Sequence, residues 1–189
     1  VLERACHDMA QYEKKHEKGM YVSINVSPVQ LREKNFVDTV VKIIDRTGIP
    51  PHLVHLEITE FSLMRNPEQT IEKLLKIKEL RSGVSIVIDD FGTGYSSLSY
   101  LSKLPADSLK VDISFVAKIN EQQNQKIVGT MINLAESLNL DVVVEGIETE
   151  QQWDYFKKVK CSTLQGFHFS HPLPLEELQK YFQSGTNLR

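Results

Sequence analysis

Apolar residues along the chain recur in two rhythms that alternate. Leu2, Ala5, Cys6, Met9 and Tyr12 fall at helical spacing and predict a helix from Val1 to about Lys18, with Gly19 as its stop. Tyr21–Val26 reads as a short strand. Phe36–Thr47 is a helix with Phe36, Val40, Val41 and Ile44 inward, closed by Gly48 and the Pro50–Pro51 pair. Val54–Thr59 is a strand. Asn66 caps the next helix with Pro67 at its first position, and Ile71, Leu74, Leu75, Ile77 and Leu80 carry it toward Gly83. Then follow a strand Val84–Asp89, a short helix Ser96–Leu104, a strand Ser108–Asp112, a helix Gln122–Leu138 and a strand Asp141–Glu145. The pattern Thr149-Glu150-Gln151-Gln152 is a capping box and opens a helix to Val159. A strand Thr163–Phe167 and a helix Leu175–Phe182 complete the series.

The strand-then-helix unit repeats six times without a linker or a low-complexity segment. The strands read as continuous apolar runs, as strands buried on both faces do, which predicts a parallel sheet covered by helices. Two α/β architectures satisfy this, an open doubly wound sheet and a (β/α)8 TIM-like barrel. Six units are two short of a barrel, and the first helix begins at Val1 with no cap. A barrel lacking its first strands in this chain accounts for both facts. Such a fragment would leave two sheet edges unpaired and is expected to melt with poor cooperativity.

Composition narrows the function. Of 189 residues, 41% are hydrophobic and 25% charged, which are the values of a globular chain with a real core. Lys and Arg number 22 against 25 Asp and Glu, so the basic excess of a DNA- or RNA-polymer binder is missing. No apolar run approaches the ~18–20 residues that span a bilayer. The two cysteines, Cys6 and Cys161, exclude a disulfide scaffold and fit a cytoplasmic location.

Polar residues gather at the strand ends. Asn25 ends the first strand and Glu57 lies late in the second, followed by Thr59 and Glu60. Asp89 and Asp90 end the third, Lys110 and Asp112 the fourth, Glu145 the fifth, and Gln165 sits late in the sixth. Both candidate architectures place active sites at the C-terminal ends of their strands. One carboxylate there is ordinarily a helix cap or a turn residue. Six strand ends behaving alike point to a site. Carboxylates with an amide oxygen are hard ligands that suit Mg²⁺ or Mn²⁺. The adjacent pair Asp89-Asp90 offers one bridging and one terminal ligand to a two-metal centre.

The segment Asp89-Asp90-Phe91-Gly92-Thr93-Gly94-Tyr95-Ser96-Ser97-Leu98 resembles the signature loop of the EAL family of cyclic di-GMP phosphodiesterases. Collinear matches are Ser23-Ile24-Asn25-Val26-Ser27, Leu56-Glu57-Ile58-Thr59-Glu60, Leu109-Lys110-Val111-Asp112, Val144-Glu145-Gly146-Ile147-Glu148-Thr149, and Gln165-Gly166-Phe167 running to Pro172-Leu173-Pro174. The resemblance covers essentially the whole chain and implies a (β/α)8 barrel of EAL type. It assigns Asn25, Glu57 and Asp89 to a first metal, with Asp89 bridging, and Asp90 and Glu145 to the side of a second. Lys110 would stand beside the attacking water, where it offsets charge in the transition state, and Glu145 would act with it. Gln165 would position the ligand. Glu60 would anchor the loop after Asp90, whose glycines Gly92 and Gly94 permit sharp turns. Glu148 would support the site from behind. The implied reaction opens one diester bond of cyclic di-GMP with Mg²⁺ or Mn²⁺ and leaves a linear dinucleotide.

The sequence departs from the family pattern in two respects. The Glu-Ala-Leu tripeptide, whose Glu is a metal ligand in the family, is absent from this chain. His168 and His171 stand where the family more often has other residues, commonly Lys at the place of His171, which bears on how the far side of the ligand is held. The alternative to an enzyme is an inactive EAL-type receptor of the nucleotide or a regulatory interaction domain; the intact polar rim favours the enzyme. The resemblance also implies upstream sensory or GGDEF-type domains and a homodimer. The dimer would use the helix near Ser97 to Leu104, through Leu98, Tyr100, Leu101 and Leu104. His52, His55, His7 and His16 read as surface or packing residues, and Trp153 and Phe156 as core or interface.

Overall fold

The computed structural model describes residues 1–16, 20–94, 98–159, 161 and 163–183. Six strands form one sheet in the order of the chain: β1 (Val22–Asn25), β2 (Val54–Thr59), β3 (Ser85–Phe91), β4 (Ser108–Val111), β5 (Asp141–Val144) and β6 (Thr163–Leu164). Each neighbouring pair is parallel. A doubly wound sheet reverses its strand order partway. This order never reverses, so the sheet is the wall of a half-barrel. The helices among the described residues are α1 (Leu2–His16), α2 (Pro28–Arg32), α3 (Phe36–Thr47), α4 (Glu60–Arg65), α5 (Pro67–Leu80), α6 (Leu98–Leu101), α7 (Ile113–Ala117), α8 (Gln122–Ser137), α9 (Glu150–Lys158) and α10 (Leu175–Gln183).

Only one face of the sheet is apolar. Ile24, Leu56, Ile58, Ile86 and Ile88 join the main core with Val40, Leu74, Ile77, Val128 and Ala135 of the covering helices. Each buried Val, Leu or Ile among them contributes ~1.5–3 kcal/mol. The other face carries Ser23, His55, Val87, Ser108, Asp141 and Thr163, which line a cavity of about 280 Å³ together with Glu57 and Lys110. The expectation of strands apolar on both faces is therefore corrected. The interior of the barrel wall is largely polar, and the short strands alternate as Val22-Ser23-Ile24-Asn25 does.

Local chemistry explains most boundaries. Gly48 adopts the left-handed conformation at φ 67° and ends α3. The Thr149–Gln152 capping box is formed in both directions at the start of α9. Three short helices follow β1, β2 and β4 that the apolar rhythm does not disclose, because five or six residues make too few turns to show a period. Their caps are nonetheless in the sequence. Ser27 and Gln30 form a reciprocal capping box on α2, and the Thr59 hydroxyl accepts the Ser62 N–H at the start of α4. The Asp112 carboxylate accepts the Ser114 N–H at 2.9 Å and caps α7. Asp112 directly follows β4, which stops at Val111, so it stands at the strand end and caps α7 from there. The described part of the helix expected at Ser96–Leu104 is only Leu98–Leu101, and the Gly19 stop and residues 95–97 lie outside the described residues. Phe156 is fully buried and Trp153 packs at the edge of the core. The His55 ring stacks on Tyr21 at 3.9 Å between centroids. No helix among the described residues is long and apolar enough to cross a membrane.

Cys6 on α1 is completely buried, and burial pushes its thiol up to about 11. An unfolded cysteine ionises near ~8.5. Between these values the folded state keeps a proton that the unfolded state has released, so stability falls as pH rises through that window. Native Cys6 is expected to resist iodoacetamide at pH 8 and to react on denaturation; rapid alkylation of the folded protein, located by mass spectrometry, would contradict its burial.

Candidate active site

Successive strands deliver the polar rim. Glu57 lies in β2, Asp89 and Asp90 in β3, and Lys110 in β4, while Glu145 is one residue past β5. The parallel register sets Asn25 beside Glu57 and Thr59 beside Asp89. Lys110 is 4% exposed. Its Nζ reaches Glu57 Oε2 at 3.2 Å, Asp89 Oδ1 at 3.1 Å and Glu145 Oε2 at 2.9 Å. Burial works against the ammonium. The hydrogen bond to Glu145 and the charges of Glu57, Asp89 and Glu145 outweigh it and hold Lys110 above its ordinary range. Lys110 is therefore a fixed cation and hydrogen-bond donor, not a base.

The strand that carries the two aspartates is irregular. The β3–β4 register shifts between Ile88 and Phe91. Asp90 sits at φ 54°, a conformation that costs a non-glycine residue ~1–3 kcal/mol and that Asp tolerates better than most. Its N–H donates to Asp89 Oδ1 at 3.0 Å, and its carbonyl accepts the Thr93 hydroxyl at 2.8 Å. The bulge turns both carboxylates to one place. Oxygens of Asp89, Asp90 and Glu145 all lie within 4.8 Å of one another. Burial raises the Asp90 carboxyl, and the neighbouring Asp89, Asp112 and Glu145 raise it further, against the pull of Lys110.

This donor set fits a hard divalent cation: carboxylates from two strand ends, close together, with one lysine to share among them. Asp89, Asp90 and Glu145 form the cluster, while Glu57 is tied to it through Lys110.

The loop after Asp90 is held from behind. Glu60 is 2% exposed, and its Oε2 accepts the Gly92 N–H at 2.8 Å and the Gly94 N–H at 3.4 Å. Gly92 has φ 95°, and a Cβ there would stand 2.2 Å from the Met131 methyl. The Met131 methyl ends a flexible side chain and could give way, so it is the positive φ that favours glycine at that point. The far end of the rim is also tight, since a Cβ on Gly166 would stand 2.1 Å from the Ile147 carbonyl oxygen.

Not every candidate joins the cluster. Gln165 is exposed; its backbone N–H donates to the Val144 carbonyl at 2.8 Å, and it lines the polar interior with Glu57 and Lys110. Glu148 is exposed and outside the gathered carboxylates; its N–H donates to Gln152 Oε1 at 2.8 Å. His168 lies 3.4 Å from Glu150 and packs near Trp153, and the His171 ring lies 4.3 Å from Phe167. Sequence reasoning placed Lys110 beside a water and missed its present role as the counter-ion of three carboxylates. It also missed that Asp112 bears on Asp90. A lysine flanked by apolar residues in a strand was the available signal for a buried ion pair.

The EAL domain model matches residues 1–172, and the chain belongs to the EAL family. It is 41% identical to the cyclic di-GMP phosphodiesterase NbdA of Pseudomonas aeruginosa over 97% of this chain and 23% of that protein. Its fold superposes on the PaMucR phosphodiesterase in its c-di-GMP complex with a TM-score of 0.89 and 36% identity, covering 94% of this chain and 71% of the other. The manganese/cyclic-diGMP complex of Klebsiella pneumoniae BlrP1 aligns with a TM-score of 0.78 and 31% identity, covering 90% and 44%. The chain spans about a quarter of the length of the curated relatives it matches.

Replacing Lys110 by Met leaves buried carboxylates facing one another. Unfolding in chelator at neutral pH is expected to lose ~3–5 kcal/mol, with part regained in Mn²⁺ or Mg²⁺. Denaturant titration of the variant with and without metal measures both; equal stability to the parent in chelator would refute the counter-ion role. For Glu60→Ala, the Gly92 amide is expected to exchange hydrogen about tenfold faster or more, and an unchanged rate would mean that the loop does not depend on Glu60.

Proposed function

We propose that this chain contributes the catalytic site of a cyclic di-GMP phosphodiesterase that uses a divalent cation, Mg²⁺ or Mn²⁺, and yields the linear dinucleotide. The supporting observation is the joining of the Asp89–Asp90–Glu145 carboxylate cluster to a buried Lys110 at the strand ends of an EAL half-barrel. Asp89, Asp90 and Glu145 would hold the cation, with Asn25 and Glu57 on its near side. When bound, the cation supplies positive charge that offsets the phosphodiester and makes water more acidic.

The protein's own groups do the rest. Lys110 keeps its proton and presents a fixed positive charge where negative charge grows on the reacting phosphorus oxygens. Glu145 is the most exposed of its three carboxylate partners and would orient water at the mouth. Glu60 holds the glycine loop against the site through Gly92. Gln165 faces the ligand from the opposite end of the rim.

In this reading residues 1–189 are part of one EAL barrel, completed by strands beyond the six described here, in a cytoplasmic setting with sensory or GGDEF-type domains upstream. Self-association through the helix after the glycine loop belongs to the same proposal, in altered form. Leu101 is 2% exposed and serves the core, whereas Leu98 is 61% exposed and is the residue free to meet a second copy.

Glu57→Ala in the barrel-containing protein is expected to reduce hydrolysis of cyclic di-GMP to under about a tenth in Mg²⁺ or Mn²⁺. Near-parental turnover would count against the assignment, and nucleotide binding without any metal-dependent hydrolysis by the parent would make it a receptor. Sedimentation is expected to show a dimer at concentrations on the order of tens of micromolar that Leu98→Glu dissociates; a monomeric parent would end the dimer proposal.

A further inference from the structure

A second polar cavity, of about 440 Å³, opens where α2, α4 and α5 meet, outside the carboxylate cluster. Its size is that of a small-ligand pocket. Arg32, Arg65 and Lys73 line it, and no carboxylate does. Lys73 Nζ donates to the Leu31 carbonyl at 2.8 Å and the Glu33 carbonyl at 2.9 Å, which fixes its charge in the wall and leaves one proton to give.

Two further donors converge there. The 14-residue helix α5 begins at this cavity, and its N-cap, Asn66, makes no side-chain capping bond. Pro67 has no N–H and the Thr70 N–H donates to the Asn66 carbonyl at 3.0 Å, so the N–H groups of Glu68 and Gln69 and the positive end of the helix dipole are left for another acceptor. The other donor is Thr70, which lines the cavity and is only 6% exposed. The remaining helical threonines, Thr39, Thr47 and Thr130, each donate their hydroxyl to the carbonyl four residues earlier, at 2.9, 2.8 and 2.9 Å. Among the described residues the Thr70 hydroxyl makes no such bond and has no other partner. The Thr70 side chain is thus almost enclosed while its hydroxyl keeps its proton free for a group in the cavity.

We propose that this cavity binds a phosphate group, bonded by the Thr70 hydroxyl and the α5 N-terminus and neutralised by Arg32, Arg65 and Lys73. The shared chemistry is a tetrahedral phosphate dianion, whether free orthophosphate or the phosphomonoester of a small molecule. The site is separate from the carboxylate cluster and does not depend on the hydrolytic reading.

Calorimetric titration of the whole protein in chelator, with orthophosphate, a nucleoside 5′-monophosphate and the bare nucleoside, tests it. Orthophosphate is expected to bind saturably at one site per chain, about tenfold or more weaker in Arg32→Gln/Arg65→Gln and several-fold weaker in the isosteric Thr70→Val. Equal affinity for orthophosphate and the monophosphate assigns the site to free phosphate. A monophosphate at least tenfold tighter than both orthophosphate and the nucleoside assigns it to a phosphomonoester, and either result supports the proposal. No saturable binding of either anion, or unchanged affinity in the folded Arg32→Gln/Arg65→Gln protein, overturns it.

Discussion

One buried ammonium organises the rim of this half-barrel. Lys110 stands on β4, and its Nζ meets carboxylates from β2, from β3 and from just beyond β5. A lone charge at that depth would be prohibitively expensive, and so would the carboxylates without it. The strand ends must therefore hold their relative heights, because a slip would separate charges that cannot be solvated again. The same interaction leaves the rim short of positive charge: four carboxylates share one lysine. That deficit is the electrostatic form of a cation site. It explains why a chain with only three surplus negative charges overall holds such a concentration of them at one end of its sheet.

The loop after β3 solves a geometric problem that a regular strand cannot. Adjacent residues in a strand point to opposite faces, so Asp89 and Asp90 would diverge. The register shift and the positive φ of Asp90 bring both to the rim. The backbone strain is offset by local hydrogen bonds from Thr93 and by Glu60, which accepts from the glycines that follow. Glu60 opens α4, so the conformation of the loop is tied to the packing of a short helix that the apolar pattern conceals.

Much of the architecture was legible in advance, and for definite reasons. Phe36–Thr47 and Val54–Thr59 have the limits expected from the sequence, because a glycine in the left-handed conformation, a proline pair and a threonine cap mark them. The Thr149–Gln152 capping box formed as read. Signals shorter than a helical period were lost, so α2, α4 and α7 went unseen although Ser27, Thr59 and Asp112 announce them as caps. Asp112 does follow the end of β4, but its carboxylate caps α7, and a carboxylate after an apolar run looks the same in sequence whether it serves a ligand or a helix. Leu101 turns to the core rather than to a partner surface, and helical spacing alone does not say which side of a four-residue helix does so.

The sequence by itself determined the alternation of strands and helices, the placement of polar residues late in each strand, and the motifs that mark the family. These are local properties, carried by spacing and by residue chemistry within a few positions. Only the tertiary structure decided which polar residues meet. Glu57 and Lys110 are 53 residues apart and Glu60 and Gly92 are 32 apart, and nothing local to either member specifies the pairing. The curvature of a sequentially ordered parallel sheet brings the strand ends together. Burial then separates Glu60, Glu57 and Asp89, which are enclosed, from Glu148, which faces solvent. The same packing sets Thr70 and three cations along the wall of one cavity, an arrangement spread over 42 residues that no linear pattern records.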